Sequence, residues 1–378
     1  MLFKNASLFR GGRFVPGAFR VEDGRFAAFY EDAPLEPGLD LGGAKVIPGL
    51  IDVHTHGNSG ADFSDGDDRA LVRMAAYYAE NGITSFAPAS MTLPYATLAA
   101  AFSAAERLHR SSPSGCARLL GIHMEGPFFS EKKKGAQNAD YLRLPDYEAF
   151  RALYEGCGGL VRIVDIAPEL PGSVDFIRRA SELCTVSLAH TDASYEEAKA
   201  GFEAGARHVT HLFNAMPPIH HRRPGVIGAA AEREDVTAEV ISDGLHLHPS
   251  VVRMAFRLFP GRVCLISDSL RCCGMPDGSY ELGGQQVFLK DGIARLSDGT
   301  IAGSAANLFQ CMRRAVAFGV PEGDAITAAT LTPAREIGAE RLVGSLDAGK
   351  YADFVVCDRE LNTLSVWLGG KNIKEENP

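Results

Sequence analysis

Residues 50–56 read Leu50-Ile51-Asp52-Val53-His54-Thr55-His56, an apolar run that ends on two histidines with one residue between them. In an extended strand successive side chains point to opposite faces, so His54 and His56 share a side, where two imidazoles can meet one metal ion. Alone, such a pair is as often structural or solvated as it is a pair of ligands. The run that carries it decides the fold, because the apolar, β-rich segment 45–53 is the first of eight. The others are 83–88, 118–124, 161–167, 185–188, 207–212, 237–241 and 262–266. Amphipathic stretches at 69–81, 98–109, 173–183 and 195–204 lie between them, and Gly82 and Gly205 stand where helix C-caps favour glycine. Eightfold alternation of strand and helix predicts an α/β protein built on a (β/α)8 barrel.

The flanks have another texture. The first 45 residues hold short alternating runs broken by glycine pairs and prolines, and similar runs return at 285–289, 292–296, 350–358 and 363–368, while 324–329 and 334–337 read as helical. The pattern predicts a small β-sandwich domain built from both chain ends, residues 1–45 and 341–378, around a catalytic barrel at 46–340.

At 378 residues, 46% hydrophobic and 22% charged, the chain can bury a large core without a disulfide or metal to hold it. Residues 1–20 contain no apolar signal region, and no stretch reaches the roughly 18 apolar residues of a membrane helix. The expectation is a cytoplasmic protein that neither spans nor binds a membrane. Eight scattered cysteines read as free thiols, and Cys272-Cys273 as plain buried ones. A formal net charge of −9 argues against broad nucleic-acid binding, and an anionic ligand would need a local basic pocket.

In a barrel of this kind reacting groups come from the C-terminal ends of the strands, where the loops converge. The third run ends in His123-Met124-Glu125-Gly126-Pro127-Phe128, the fifth in Ala189-His190-Thr191-Asp192, the sixth in Thr210-His211-Leu212-Phe213-Asn214 and the eighth in Ser267-Asp268. Singly, Glu125 reads as a surface or N-cap carboxylate and each histidine as a core residue. Together, five strand ends offer four histidines and two carboxylates, which is a metal-binding set. Asp268, at the last strand's exit, stands where a proton acceptor beside an activated water belongs.

These segments resemble the N-acetylglucosamine-6-phosphate deacetylases of the amidohydrolase superfamily. The likeness runs nearly end to end, through residues 48–57 and 123–128, Lys133-Lys134-Gly135-Ala136, Ala189-His190-Thr191, His211-Leu212-Phe213-Asn214-Ala215-Met216, Arg222-Arg223-Pro224-Gly225, Asp243-Gly244-Leu245-His246 and Ile301-Ala302-Gly303-Ser304. His-x-His indicates only the superfamily; the His-Leu-Phe-Asn-Ala-Met and His-x-Glu-Gly-Pro-Phe elements are far more specific.

The resemblance implies that Glu125, His190 and His211 hold the principal divalent metal, that His54 and His56 admit a second, and that Asp268 is general base and then acid. Zinc is the first choice of metal, with iron, cobalt or manganese as alternatives, one or two ions per chain. It implies the substrate N-acetyl-D-glucosamine 6-phosphate, whose acetamide is cleaved to D-glucosamine 6-phosphate and acetate in amino-sugar metabolism. Arg222 and His246 would meet the phosphate, in part across a homodimer interface. Ala136, Asn214, Ala215 and the Ile301, Ala302, Gly303, Ser304 segment would contact the sugar. His246 or His54 would donate to the oxyanion. By itself the basic run His220, His221, Arg222, Arg223 reads equally as a solvated loop.

Two positions depart from the family pattern. Gln137 stands where many relatives carry histidine, yet can still hydrogen-bond a sugar hydroxyl, and Ser269 replaces a common alanine. The alternative reading is an N-acetylgalactosamine-6-phosphate deacetylase. A cyclic-amide hydrolase such as a dihydroorotase would normally show a barrel lysine for carboxylation, and a non-catalytic sugar-phosphate sensor would have lost its base or ligands.

Overall fold

The computed structural model describes residues 1–376; the last two residues of the expected segment 341–378 lie outside the described residues. Among the described residues, eight strands succeed one another: Leu50–Asp52, Ile83–Phe86, Ile122–Phe128, Val161–Ile166, Thr185–Leu188, His208–Val209, Thr237–Ile241 and Val263–Ile266. Neighbours pair in parallel. The second meets the third through Arg118–Leu119 and through Ala89 beside His123. The ring closes where Asp268 N–H donates to the His54 carbonyl at 2.9 Å and Ser267 N–H to Asp52 Oδ1 at 3.3 Å. This is the predicted barrel. Its strands are buried nearly throughout, as continuous apolar runs covered on both faces require.

Helices Asp68–Glu80, Tyr95–Ser111, Ser173–Ala180 and Tyr195–Ala204 stand where the amphipathic stretches predicted them. The last shows how firmly the local sequence sets such a boundary. Ser194 Oγ accepts the Glu197 N–H while the Glu197 carboxylate accepts the Ser194 N–H, and Gly205 ends the helix at φ +131°.

The predicted first strand is two strands. Lys45–Pro48 pairs with Leu2–Arg10 and Phe354–Cys357, and only Leu50–Asp52 enters the barrel. Gly49 makes the crossing, where a Cβ would stand 2.0 Å from Thr84 Oγ1. Apolarity runs unbroken through both sheets, so the hydrophobic pattern alone joins them.

The sheet formed by the chain ends runs in the order Lys371–Asn372, Thr363–Leu368, Phe354–Cys357, Lys45–Pro48, Leu2–Arg10, Arg13–Glu22, Arg25–Tyr30, with Leu39–Asp40 beside Leu2–Arg10. Its core is aromatic: Phe3 stacks on Phe19 at 4.6 Å between centroids and Phe354 on Trp367 at 5.5 Å.

The runs at 285–289 and 292–296 do not join that sheet. With Gly278–Leu282 and Ile301–Ser304 they form a separate antiparallel sheet beside the barrel mouth. Leu282, Val287 and Leu289 pack on Met91, Leu270 and Cys272. Ser304 N–H donates to the Asp268 carbonyl at 2.8 Å, which ties this flap to the end of the eighth barrel strand. Cys272 and Cys273 are buried free thiols, pushed up to about 11 and about 12 by that burial. Among the described residues no helix is long and apolar enough to cross a membrane.

Candidate active site

The barrel strands deliver their polar residues to one mouth, and the backbone bends sharply to do so. His190, His211 and Asp268 leave their strands at φ +43°, +29° and +50°. For residues bearing a Cβ this left-handed conformation costs on the order of 1–3 kcal/mol each and persists only where the surroundings enforce it. Strained backbone at three strand exits is what turns these side chains inward.

Glu125 is the hub. Its Oε1 lies 3.0 Å from His190 Nε2 and 3.3 Å from His211 Nε2, and its Oε2 lies 3.2 Å from His56 Nε2 and 3.7 Å from His54 Nε2. Asp268 Oδ1 faces His56 Nε2 at 3.2 Å and His54 Nε2 at 3.8 Å. All six residues are buried.

The ring orientations are set from outside. His190 Nδ1–H donates to the Lys133 carbonyl at 2.8 Å, His56 Nδ1–H to the Ala89 carbonyl at 3.1 Å and His54 Nδ1–H to Glu239 Oε2 at 2.9 Å. Phe129 stacks on the His190 ring at 4.4 Å. Each contact commits a proton to Nδ1 and turns an Nε2 lone pair toward the carboxylates, the arrangement outer partners impose on metal-ligating histidines. His54 Nε2 is buried there with no hydrogen-bond partner.

Two sets of donors therefore converge on the mouth within ligand reach, Glu125 with His190 and His211, and His54 with His56 and Asp268, while a third group, His54 with His123 and Glu239, lies on the Nδ1 side of His54. Nitrogen and carboxylate donors in threes suit a divalent transition metal, and the residues present fit one. The electrostatics agree. Burial disfavours ionisation of Glu125, yet His54 and the surrounding imidazoles hold it well below the usual carboxylate range. Burial likewise opposes charge on His56, but Asp268 and Glu125 outweigh it and push the ring up to about 10. Asp268 is held below its ordinary value, because the His56 hydrogen bond and the His54 charge overcome its burial. The cluster demands positive charge at its centre, which a cation supplies in place of imidazole protons.

The donors open into a cavity of about 300 Å³ whose wall includes Ala136, Gln137, Asn214, Ala215 and His246, closed on the flap side by Ile301, Ala302 and Gly303. Gly303 has φ +156°, and a Cβ there would meet Leu270 at 2.8 Å and the Asp268 carbonyl at 3.0 Å, so the flap can pass this close only as glycine. His246 Nδ1–H donates to Asp243 Oδ2 at 2.8 Å, directing its other nitrogen away from that carboxylate. Gln285 Nε2 donates to the Ala136 carbonyl at 2.5 Å, joining flap and loop.

Two expected contacts stand outside this cavity, and a third has partners within the protein. Ser304 is buried beside the cavity without lining it, its Oγ accepting the Ala306 N–H at 3.0 Å. Arg222 is exposed and lines a neighbouring cavity with His220, Arg223 and Glu196, outside the one holding the metal-binding set. Gln137 spends its amide within the protein: Oε1 accepts the Thr92 N–H at 2.7 Å and Nε2 donates to Glu125 Oε2 at 3.0 Å. The backbone donor fixes which way the amide faces, so Gln137 orients Glu125 and keeps one N–H for a sugar. Of the two candidates for oxyanion donor, His246 lines the cavity, whereas His54 has its Nδ1 proton on Glu239.

Beneath the site lies a polar layer that the sequence reading passed over. His123 bridges the Val53 carbonyl and Asp165 Oδ1, and Glu239 links His54 to His208. The available signal was a carboxylate flanked on both sides by apolar residues inside a strand, Asp165 between Val164 and Ile166 and Glu239 between Ala238 and Val240.

A family model described as the amidohydrolase family matches residues 45–373. The chain is 35% identical over 354 residues to the N-acetylglucosamine-6-phosphate deacetylase of Vibrio furnissii, covering 93% of this chain and 88% of that one. It is 33% identical over 356 residues to the N-acetylgalactosamine-6-phosphate deacetylase of Escherichia coli O157:H7, covering 93% of each. Among solved structures, a mutant of the Mycobacterium smegmatis N-acetyl-D-glucosamine-6-phosphate deacetylase in complex with N-acetyl-D-glucosamine-6-phosphate superposes with a TM-score of 0.93 at 34% identity, over 99% of both chains.

Proposed function

This chain belongs to the amidohydrolase family, and from that premise we infer that it is a metal-dependent deacetylase. It hydrolyses the acetamide of N-acetyl-D-glucosamine 6-phosphate to D-glucosamine 6-phosphate and acetate, a step of amino-sugar metabolism. The observation that carries this reading is the convergence of Glu125, His190 and His211 beside an ionised Asp268 in one cavity, on a fold shared with a substrate-bound relative.

When bound, a divalent cation lowers the pKa of water toward about 7 and polarises an amide carbonyl. Glu125, His190 and His211 would hold the principal ion and His54 and His56 a second, with zinc proposed first and iron, cobalt or manganese as alternatives. Asp268 takes the proton of the attacking water and returns it to the departing nitrogen, so that an amine leaves in place of an amide anion. His246, with its Nδ1 on Asp243, has one free ring nitrogen at the cavity wall, which would meet the substrate phosphate. Ala136, Asn214, Ala215, Ile301, Ala302 and Gly303 shape the sugar site.

Arg222 meets the phosphate from a second copy of the chain, a homodimer arrangement consistent with its place outside its own chain's cavity. The division into 1–45, 46–340 and 341–378 stands as the proposed domain organisation. Eight unpaired cysteines suit the reducing cytoplasm.

A second reading, deacetylation of the galactosamine epimer, is favoured by the similarity to the Escherichia coli O157:H7 relative. Acetate release from both sugar phosphates, with metal content measured on the same sample, tests the proposal. The expected result is faster release from the gluco compound with metal bound; release from the epimer alone selects the second reading, and none from either refutes both.

A further inference from the structure

Glu239 lies fully buried in the seventh barrel strand, below the cavity and outside its wall. Its Oε2 accepts two N–H groups, His54 Nδ1 at 2.9 Å and the His211 backbone at 3.1 Å. Its Oε1 faces His208 Nε2 at 3.0 Å, His208 Nδ1 faces Glu336 Oε2 at 2.9 Å, and Glu336 Oε1 accepts from Thr237 Oγ1 at 2.6 Å. A chain of charged groups thus runs from the metal-binding set down through the barrel. Buried ion pairs stabilise a fold poorly, since apolar residues of similar volume commonly do as well or better. Their worth here is in what they orient.

A neutral imidazole can carry its proton on either nitrogen, and only the form protonated on Nδ1 offers Nε2 to a metal. Glu239 selects that form for His54. The partnerless Nε2 then points between Glu125 Oε2 at 3.7 Å and Asp268 Oδ1 at 3.8 Å, the space a second cation would occupy. His190 has a different anchor, the Lys133 carbonyl.

We propose that Glu239 is a positioning residue for a second cation held by His54, His56 and Asp268, and that His208 and Glu336 hold Glu239 in place. The inference rests on the metal-dependent reading above and names a device that no feature of the cavity wall supplies.

The test is a cobalt(II) titration of chelator-stripped protein, following visible absorption and bound metal per chain, for wild type, Glu239→Ala, Glu239→Asp and Glu239→Gln. Outer-shell partners of metal ligands are typically worth about 10–100-fold in affinity. Loss of that order is expected at the second equivalent in Glu239→Ala, with the first within about threefold of wild type. Glutamine, whose oxygen still accepts from His54 and His211, should restore the second equivalent to within about threefold. Aspartate keeps the charge opposite His208 but is one methylene short of His54, and should weaken the second equivalent about tenfold; it decides the matter if the alanine variant does not fold.

A second equivalent unchanged in Glu239→Ala or Glu239→Asp overturns the proposal, as does equal loss of both equivalents that glutamine fails to rescue, or a wild type that binds one ion. Acetate release by the wild type separates this from the substrate assignment. Activity with an unchanged second equivalent in the variants sinks the inference alone, and selective loss of that equivalent in a protein releasing no acetate sinks the assignment alone.

Discussion

His190 Nε2 and His211 Nε2 stand 3.1 Å apart, with Glu125 Oε1 3.0 Å from the first and 3.3 Å from the second. Because the Lys133 carbonyl commits the His190 proton to Nδ1, the His190 Nε2 lone pair and the Glu125 carboxylate face one point that His211 Nε2 also reaches, an arrangement satisfied by a cation. Metal binding should therefore stabilise the fold by mass action, about 2.7 kcal/mol at a hundredfold excess over Kd. Chelator treatment is expected to lower the thermal midpoint by a few degrees and zinc to restore it, while Glu125→Gln should abolish the zinc response; calorimetry with and without zinc reads this directly. A variant that still responds in full would remove Glu125 from the ligand set.

Asp268→Asn should reduce kcat by about 10²–10⁴-fold while leaving the principal ion on Glu125, His190 and His211 bound, because the amide keeps the shape of the side chain and loses the proton acceptor. Elemental analysis and acetate release on one preparation separate the two effects. Full turnover in that variant would assign the proton transfer elsewhere.

The groups that were legible in the sequence share a property: Glu125 stands within a barrel strand and His190, His211 and Asp268 two residues past the ends of theirs, and barrel geometry brings such positions together. Glu239 and Asp165 were missed because their partners are remote in sequence; His54 and Glu239 are 185 residues apart, and no local period encodes that pairing. Segment 45–53 was misread as one strand for a related reason. Hydrophobic pattern reports burial, and Lys45–Pro48 and Leu50–Asp52 are both buried, in different sheets. Gln137 reads as a sugar contact from its neighbours in the chain; its additional bonds to Thr92 and Glu125 join residues 45 and 12 positions away, which no local pattern encodes.

Arg222→Ala should raise KM for the phosphorylated sugar by about 10–100-fold, the worth of hydrogen bonds to a charged group, and leave unphosphorylated N-acetylglucosamine unaffected. Since Arg222 lies outside its own chain's cavity, the proposed dimer makes a sharper demand. Unfolding and refolding a mixture of Arg222→Ala and Asp268→Asn chains should create sites with both groups intact and recover activity that neither variant shows alone at low substrate. An inactive mixture of confirmed heterodimers would place Arg222 on its own chain's substrate, or on none.

His208 gives the molecule a pH dependence separable from catalysis. Burial disfavours its charged form, but Glu239 and Glu336 on either side outweigh that and push it up to about 10. The folded-state value lies above that of an exposed histidine, so the stabilisation is complete below about pH 6.5 and is lost as the pH rises through about 10. For cation-free protein, urea unfolding near both limits should show a loss on the order of a few kcal/mol, and His208→Gln, which carries no proton to lose, should flatten that slope. The variant should be less stable than wild type at the acidic limit and approach it at the alkaline one. An equal difference between the two proteins at both limits would mean that His208 is held neutral, and that Glu239 draws its counter-charge from His54 instead.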